Sequence, residues 1–418
     1  MKVKINSNFY IIIYFILMVL MNQSIGLSYI NVISLSFLFI SLKDINVSKC
    51  LPTKIYYIYI SYAMIISILN VGSGNISWYR MHINLFGLLI MCFLTSMILT
   101  EQTNINLFCI KIRAFSWILF LCGILEYLTK FNITRFMRNS NYVEIYLDGE
   151  GRILSVFYHP LGYAAFLILL FILLLYFPYT NYKKNVIINI LLIINLLLTK
   201  SRSALIILVF IWILFKFKHL NRLSRKIPEK KFGVVIMAII VLFILMTIFG
   251  NTISVFAFSI LKRFISLSLE NKEGIRALII SNFINYLRNS PIQYIMFGHG
   301  IGYSYKFMEL HPISYWIDGK RYLWSQTTDN TYISIILDYG LIGFFIYVFI
   351  IIITIKVFIT SKNEKAEMAS LILISLFILL FIMEGLYWPT IMFTFAFALG
   401  VMNKQTTVGN LLRSKRGI

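Results

Sequence analysis

The stretch ILDYGLIGFFIYVFIIIITIKV, residues 336–357, is long and apolar enough to cross a lipid bilayer as a single α-helix. It has many counterparts along the chain, because 59% of the 418 residues are hydrophobic and only 13% are charged. A soluble protein of this size could not bury so much apolar surface. The sequence therefore predicts an all-α fold, a polytopic transmembrane helix bundle of about twelve spans.

The distribution of the apolar runs divides the chain into three segments. Residues 1–261 are predicted to form a transmembrane bundle of spans 1–9, with a smaller outward loop near 130–158. Residues 262–329 form one long polar interruption, and residues 330–418 supply spans 10–12 and a cytoplasmic tail. The candidate spans are 9–22, 26–42, 55–70, 82–99, 107–129, 159–178, 185–199, 202–217, 232–250, 330–357, 366–383 and 386–402.

Lysine and arginine are concentrated in alternate connectors and near both termini. Cytoplasmic loops of membrane proteins collect these residues, so we predict that both termini face the cytoplasm. The formal net charge of +22 then reflects membrane orientation, and no nucleic-acid partner is expected. The loops near 130–158 and at 262–329 interrupt the opposite, nearly neutral side and are predicted to face outward.

The large outward loop, residues 262–329, holds most of the residues that are suited to chemistry. An apolar stripe at helical spacing predicts an amphipathic helix over 274–287, with Arg276 off the stripe. The sequence Gly298-His299-Gly300-Ile301-Gly302 predicts a flexible turn at which backbone can approach a ligand. The aromatic residues of the loop could stack on sugar rings or form an interfacial belt. No nucleotide-binding motif occurs, so an outward-facing enzyme would need a substrate that is activated in advance.

Several basic residues are candidates to bind an anionic ligand. Arg202 lies between two apolar runs, where its guanidinium either clamps a diphosphate or anchors a helix at the lipid boundary. Arg276 is either a second phosphate ligand or part of a solvated helix face. Arg152 precedes a span that opens at His159, and this histidine either donates to a ligand or caps the helix. Further supporting candidates are Asn330, Arg288 and Arg321.

A proton acceptor is the second kind of group that an outward-facing enzyme would need, if for example a sugar hydroxyl attacks the activated substrate. His299 in the glycine turn and Asp329, where the loop returns to the membrane, are the preferred catalytic candidates. Asp329 has a structural alternative as a helix N-cap. Glu126 and Glu384 lie near outer helix ends and are candidates to pair with the arginines. No spacing of His, Cys, Asp or Glu predicts a metal site, and no cofactor is expected.

Several short motifs, taken in their order and spacing, resemble the O-antigen polymerase and ligase superfamily. They are Arg152 followed by His159-Pro160-Leu161-Gly162, then Ser201-Arg202-Ser203-Ala204, the large loop with Arg276, Gly298-x-Gly300-x-Gly302, Asp329-Asn330-x-Tyr332, and Tyr339-Gly340-Leu341-Ile342-Gly343.

This resemblance implies a metal-independent, inverting glycosyltransferase that uses polyprenyl-diphosphate-linked glycans at the outer face of a bacterial cytoplasmic membrane. The diphosphate-binding arginines of the family match Arg202 and Arg276, with Arg152 as a further candidate. Ligases of the family carry a catalytic histidine just before an asparagine. This chain has Asp329 before Asn330 instead, which favours a polymerase.

The expected function is therefore polymerisation of lipid-linked repeat units into a surface polysaccharide, either O-antigen or capsule. The first alternative is an O-antigen ligase that transfers glycan to lipid A-core. A second is a lipid-linked oligosaccharide flippase, although transporters usually show internal repeats and charges in broken mid-membrane helices. A third is a non-catalytic assembly partner. The expected partners are the lipid bilayer, polyprenyl-diphosphate-linked oligosaccharides, a chain-length regulator and a flippase.

Overall fold

The computed structural model describes residues 51–70, 105–132, 147, 151–157, 159–223, 275–317, 320–324, 327–386, 388 and 391–402. Four predicted spans, 9–22, 26–42, 82–99 and 232–250, lie outside the described residues, as do the start of the large loop and the cytoplasmic tail.

The described part of the chain is predominantly helical, and a helix lies at each predicted span that falls within it. The elements are α1 (Leu51–Leu69), α2 (Ile105–Thr129), α3 (Pro160–Tyr176), α4 (Tyr182–Leu198), α5 (Arg202–Leu223), α6 (Ile275–Asn289), α7 (Ile292–Phe297), α8 (Tyr303–Leu310), β1 (Ile313–Ile317), β2 (Lys320–Trp324), α9 (Thr331–Thr360), α10 (Glu364–Ile382) and α11 (Ile391–Met402).

Among the described helices, α2 and α9 are both long and apolar enough to cross a membrane, judged by length and composition. Shorter apolar helices include α3 and α11. The predicted total of about twelve spans and their order across the membrane remain predictions.

Helix α3 forms the centre of the described bundle. Almost every side chain from Pro160 to Leu174 is buried, because α3 packs against α4, α5 and α10. A helix that is apolar on all sides is stable only when neighbours surround it. Helix α4 instead leaves apolar side chains such as Ile187 and Ile190 exposed, as expected for a surface that faces lipid.

The connectors rich in lysine and arginine contact one another in the described bundle. Arg113 Nη1 donates to the carbonyl oxygens of Phe177 and Pro178, at 2.6 and 3.0 Å. Lys218 Nζ donates to the carbonyl oxygen of Ile359 at 2.7 Å, near the end of α9. These bonds satisfy carbonyl groups at helix ends with cationic donors.

The described part of the large loop packs on the N-terminal half of α9. Apolar residues of α6, α8 and β1 form a small core with Ile333 and Leu337 of α9. The predicted amphipathic helix corresponds to α6, which buries Ile279 and Phe283. Strands β1 and β2 form an antiparallel hairpin, with Ile313 opposite Trp324. Sequence analysis did not predict this hairpin, which contains much of the aromatic cluster of the loop.

Candidate functional site

Helix α9 is broken at Gly340, and the glycine turn of the large loop fills the break. Gly340 has φ 66° and ψ −172°, a conformation that favours glycine. The backbone N–H of His299 donates to Leu337 O at 3.2 Å, and that of Gly300 donates to Asp338 O at 2.8 Å. The turn was predicted to let backbone approach a ligand, and in the structure the group it approaches is the backbone of α9.

The close approach requires glycine on both sides. A Cβ atom on Gly298 would lie 2.4 Å from the carbonyl oxygen of Asp338. A Cβ atom on Gly340 would lie 2.3 Å from the carbonyl oxygen of Met296. The hydroxyl of Tyr62 on α1 closes the junction by donating to the carbonyl oxygens of Phe297 and Tyr339, at 3.2 and 2.9 Å.

Asp338 holds the start of α8. Its carboxylate accepts the backbone N–H of Ser304 at 2.7 Å and that of Gly302 at 3.1 Å. A carboxylate is favoured there because the first N–H groups of a helix have no partner within the helix. Asp338 therefore joins the large loop to α9.

His299, a predicted catalytic base, is enclosed by aromatic rings. It stacks between Tyr294 and Tyr303, with ring centroids 4.1 and 3.7 Å away. Burial lowers the pKa of His299 to about 4, so the imidazole is neutral at pH 7. Neither ring nitrogen has a hydrogen-bond partner in the described structure. His299 and Asp329 are therefore not hydrogen-bonded to each other, and the catalytic role of His299 stays a prediction.

Asp329 lies in the turn that leads into α9. Its backbone has φ 53°, a left-handed conformation that aspartate tolerates better than most residues. The Thr327 hydroxyl donates to Asp329 Oδ1 at 3.1 Å. Asn330 is the N-cap of α9, because its side-chain oxygen accepts the N–H groups of Tyr332 and Ile333. The capping role considered for Asp329 therefore belongs to Asn330, and the half-buried Asp329 carboxylate is outside the cap.

Glu384 is a site residue whose role sequence analysis missed. Its Oε2 accepts the backbone N–H of Thr328 at 2.7 Å and the Thr328 hydroxyl at 3.0 Å. Burial, with a smaller contribution from the negative charge of Asp329, raises the pKa of Glu384 to about 7. The sequence predicts an arginine partner for Glu384, and among the described residues its carboxylate instead binds the turn that carries Asp329. A lone glutamate between two apolar runs was the available signal.

Glu126 plays a similar part at the segment that carries Arg152. Its carboxylate accepts the backbone N–H groups of Leu154, at 3.1 Å, and of Ser155. The Glu126 side chain is almost fully buried, so these bonds satisfy a carboxylate that would be costly to leave unpaired. Residues 151–157 are thereby fixed beside the ends of α2 and α4.

Two basic residues, Arg152 and Lys200, lie at the turn between α4 and α5. Arg152 Nε donates to Thr199 O at 2.9 Å, and the backbone N–H of Ile153 donates to Leu198 O. A Cβ atom on Gly151 would lie 3.2 Å from Lys200 Nζ. Two residues after Lys200, Arg202 begins α5. We call Arg152, Lys200 and Arg202 the cationic turn. Three positive charges in one short region suit an anionic group such as a diphosphate.

His159, which opens α3, contacts the segment that follows Glu384. Its Nδ1 accepts the N–H of Leu161 at 3.0 Å, so the structure shows the capping role that sequence analysis left open. The imidazole packs against Trp388, with 5.0 Å between ring centroids. Trp388 in turn donates its backbone N–H to Gly385 O.

The other predicted arginines belong to the large loop. Arg276 lies in the first turn of α6 and Arg288 in its last turn. Arg321 lies on β2, opposite Trp316 in the hairpin register. Their participation with the cationic turn in one site stays a prediction. Among the described residues, no group of three or more His, Cys, Asp and Glu side chains could hold a metal ion.

The segment from α4 to the middle of α9 contains two of the cationic-turn residues, the glycine turn and Asp329. Residues 187–348 match the O-antigen ligase family, Wzy_C. The resemblance to the O-antigen polymerase and ligase superfamily is therefore confirmed over this segment. The match supports a membrane protein with a glycosyl-transferring function of the O-antigen ligase or polymerase type, without separating the two. Arg152, His159 and Glu384 lie outside the matched residues. No curated protein matches the chain.

Proposed function

We propose that this protein is a polymerase that joins polyprenyl-diphosphate-linked oligosaccharide repeat units at the outer face of the cytoplasmic membrane. The observation that supports the proposal is the contact between the rings of His159 and Trp388, 5.0 Å between centroids. His159 follows Arg152 by seven residues, and Trp388 follows Glu384, which binds the Asp329 turn, by four residues. We infer from this contact that the cations for a diphosphate lie on the same side of the bundle as a carboxylate that can accept a proton.

The proposed reaction assigns one task to each kind of group. Arg202, Arg276 and Arg152 bind the diphosphate of the growing chain, and Lys200 adds a fourth positive charge. A hydroxyl oxygen of the incoming repeat unit attacks the anomeric carbon and forms the new glycosidic bond. The bond between that carbon and the diphosphate breaks, with inversion, and the diphosphate leaves with the electron pair. Asp329 accepts the hydroxyl proton as the oxygen attacks.

The cations also explain how such a reaction proceeds without a metal ion. Negative charge grows on the diphosphate as its bond to the sugar breaks. Guanidinium groups aimed at that charge stabilise the transition state more than the ground state, which lowers the barrier by roughly several kcal/mol. Arginine binds phosphate oxygens through two parallel N–H donors, so it also orients the leaving group.

An O-antigen ligase is the second candidate, and the description of the matched family favours it. The two functions share the donor and the chemistry, and they differ in the acceptor. Asp329 stands before Asn330 where ligases of the family carry histidine, and we therefore prefer the polymerase. The acceptor would then be a second lipid-linked repeat unit rather than lipid A-core.

A flippase is disfavoured by the way in which α9 is broken. In transporters the backbone groups of broken helices line a substrate or ion site. Here the carbonyl oxygens of Leu337, Asp338 and Tyr339 accept hydrogen bonds from His299, Gly300 and Tyr62. Protein groups therefore occupy the break.

The proposal places the protein in the cytoplasmic membrane as a multi-pass protein with both termini in the cytoplasm. Its substrates would reach the outer leaflet through a separate flippase, and a chain-length regulator would act on its product. The alternation of basic connectors along the sequence supports this orientation.

Gene deletion followed by gel electrophoresis of the surface glycan tests the proposal. A polymerase predicts that single repeat units replace long chains. Complete loss of glycan from lipid A-core, with polymer retained on the lipid carrier, would identify a ligase. Loss of outward-facing lipid-linked repeats would favour a flippase. Complementation with Arg202→Ala or Arg276→Ala should leave the protein in the membrane without restoring polymer, and wild-type chain length in either variant would exclude that arginine from the reaction.

A further inference from the structure

Four side chains of the large loop, three on different helices and one in the glycine turn, form a compact cluster. Tyr286 is on α6, Tyr294 is on α7, His299 lies in the glycine turn and Tyr303 begins α8. The imidazole of His299 lies nearly parallel to the Tyr294 ring, at an interplanar angle of 11°, and 24° from the Tyr303 ring. The Tyr286 ring is 6.0 Å from His299 and 6.3 Å from Tyr303. We call these residues the tyrosine–histidine cluster.

The ring nitrogens of His299 make no hydrogen bond within the part of the chain that the structure describes. His299 is only 6% exposed, yet Nδ1 and Nε2 both lack a partner there. Buried polar groups are nearly always hydrogen-bonded, so an imidazole with two unused nitrogens indicates a partner that the described residues do not supply. A neutral imidazole offers one donor and one acceptor to such a partner.

The tyrosine hydroxyls of the cluster lie close enough to influence one another. Burial raises the pKa of Tyr286, and the neighbouring hydroxyls of Tyr303 and Tyr294 raise it further. The four side chains of the cluster are all uncharged at pH 7, so the cluster lacks the cations that a diphosphate needs. Hydroxyls that can both donate and accept instead suit an uncharged ligand with several hydroxyl groups.

We propose that the tyrosine–histidine cluster binds an uncharged sugar of the glycan substrate through its hydroxyl groups. This proposal rests on the proposed function and adds a glycan subsite separate from the cationic turn. The imidazole already covers one face each of Tyr294 and Tyr303, so recognition there uses hydroxyl groups and ring nitrogens rather than stacking on those faces. Sugar hydroxyls would satisfy the two nitrogens of His299.

The Tyr294 side chain is the part of the cluster that would move to admit the sugar. It is half-buried on α7, none of whose six side chains is fully buried, whereas the backbone that follows α7 is bound to α9 through His299 and Gly300. Rotation of this side chain, with α7 in place, would expose the nitrogens of His299 to the sugar hydroxyls.

Calorimetric titration of the full-length protein in lipid nanodiscs tests this subsite. The probe is an uncharged repeat-unit oligosaccharide that mild acid has released from its lipid diphosphate. Tyr286→Phe and Tyr303→Phe keep the rings and remove one hydroxyl each, so each should weaken binding by about two- to tenfold. Tyr182→Phe is the matched control, because Tyr182 is 79% exposed at the start of α4 and should bind like the wild type.

The outcomes separate this subsite from the proposed function. Wild-type affinity in both cluster variants, or no binding of the probe by the wild type, would overturn the subsite even if gene deletion abolishes polymer. Weakened binding in both cluster variants would support it, even if deletion leaves the polymer unchanged and so refutes the polymerase. Arg152→Ala should retain full affinity for the released oligosaccharide, since the probe carries no diphosphate. If Arg152→Ala lost as much affinity for the oligosaccharide as Tyr303→Phe, the sugar site would not be separate from the cationic turn.

Discussion

Glu384 binds Thr328 through two hydrogen bonds to the same carboxylate oxygen, although the residues are 56 positions apart in the chain. Thr331 reinforces this junction, because its hydroxyl donates to Met383 O at 2.8 Å and accepts the N–H of Gly385 at 3.3 Å. The turn that carries Asp329 is therefore fixed by the segment between α10 and α11. The position of the proposed base depends on a carboxyl group that takes no direct part in the proposed reaction.

The first prediction concerns pH and the Glu384 carboxyl. Its pKa is raised from 4.5 to about 7 in the folded protein, so between these values the folded state holds more protons than the unfolded state. The contribution of Glu384 to stability should therefore fall as pH rises from about 4.5 to about 7, by up to ~3 kcal/mol, whereas the lowered pKa of His299 acts in the opposite direction. Thermal unfolding of the wild type and of Glu384→Gln in detergent across this range isolates the Glu384 contribution. The stability of the wild type relative to Glu384→Gln should decrease as pH rises, and a constant difference would contradict the raised pKa.

The second prediction concerns Asp329. If Asp329 accepts the hydroxyl proton, Asp329→Asn should lower the transfer rate by roughly 10²- to 10⁴-fold while the protein remains folded in the membrane. Asp329→His should recover part of the rate, because related ligases carry histidine there. The rate of glycan transfer from one synthetic lipid-linked repeat unit to another measures the activity of both variants. Glu309→Gln is the control, since Glu309 is an exposed carboxylate of the same loop, paired with Lys306. Wild-type activity in Asp329→Asn would show that another residue accepts the proton.

The third prediction concerns the cationic turn. Arg152→Ala should weaken binding of polyprenyl diphosphate by roughly ten- to a hundredfold, because one charged hydrogen-bond donor is lost. Arg113→Ala is a matched control: Arg113 also donates to main-chain carbonyl groups, but beside the connector at Phe177. It should reduce stability and leave diphosphate affinity unchanged. Equal losses of affinity in the two variants would mean that Arg152 acts through the fold alone.

The fourth prediction concerns the junction between the glycine turn and α9. Gly340→Ala and Gly298→Ala each place a Cβ atom within 2.5 Å of backbone, at positions with φ of 66° and 78°. Backbone strain alone should lower the free energy of unfolding by about 1–3 kcal/mol, and the steric overlap should lower it further. Protease cleavage within α6 to α8 should therefore accelerate in both variants.

Gly162→Ala is the matched control for the glycine junction. Its Cβ atom would meet the Trp388 ring at 3.7 Å, an ordinary contact, and alanine favours a helix over glycine. The unfolding temperature of Gly162→Ala should equal or slightly exceed that of the wild type, and its cleavage rate should be equal or slightly lower. Cleavage of Gly340→Ala at the wild-type rate would show that the contact between Gly340 and the glycine turn does not hold the turn in place.

Local patterns in the sequence were sufficient for the helices. The runs at 107–129 and 330–357 correspond to α2 and α9 because hydrophobicity and length are properties of neighbouring residues. The apolar stripe of 274–287 likewise identified α6. The hairpin of β1 and β2 was missed, because its strands pair across a short turn and their aromatic residues also suit an interfacial belt.

The sequence by itself determined that this chain is built from apolar helices, that a glycine turn lies at 298–302, and that arginines occur within and before a large polar loop. Only the tertiary structure decided the partners of those residues. It placed the glycine turn in the break of α9, gave the capping role to Asn330, and set Glu384 against the Asp329 turn. The physical reason is that a helix is specified by residues a few positions apart, whereas these contacts join distant segments through the packing of the whole bundle.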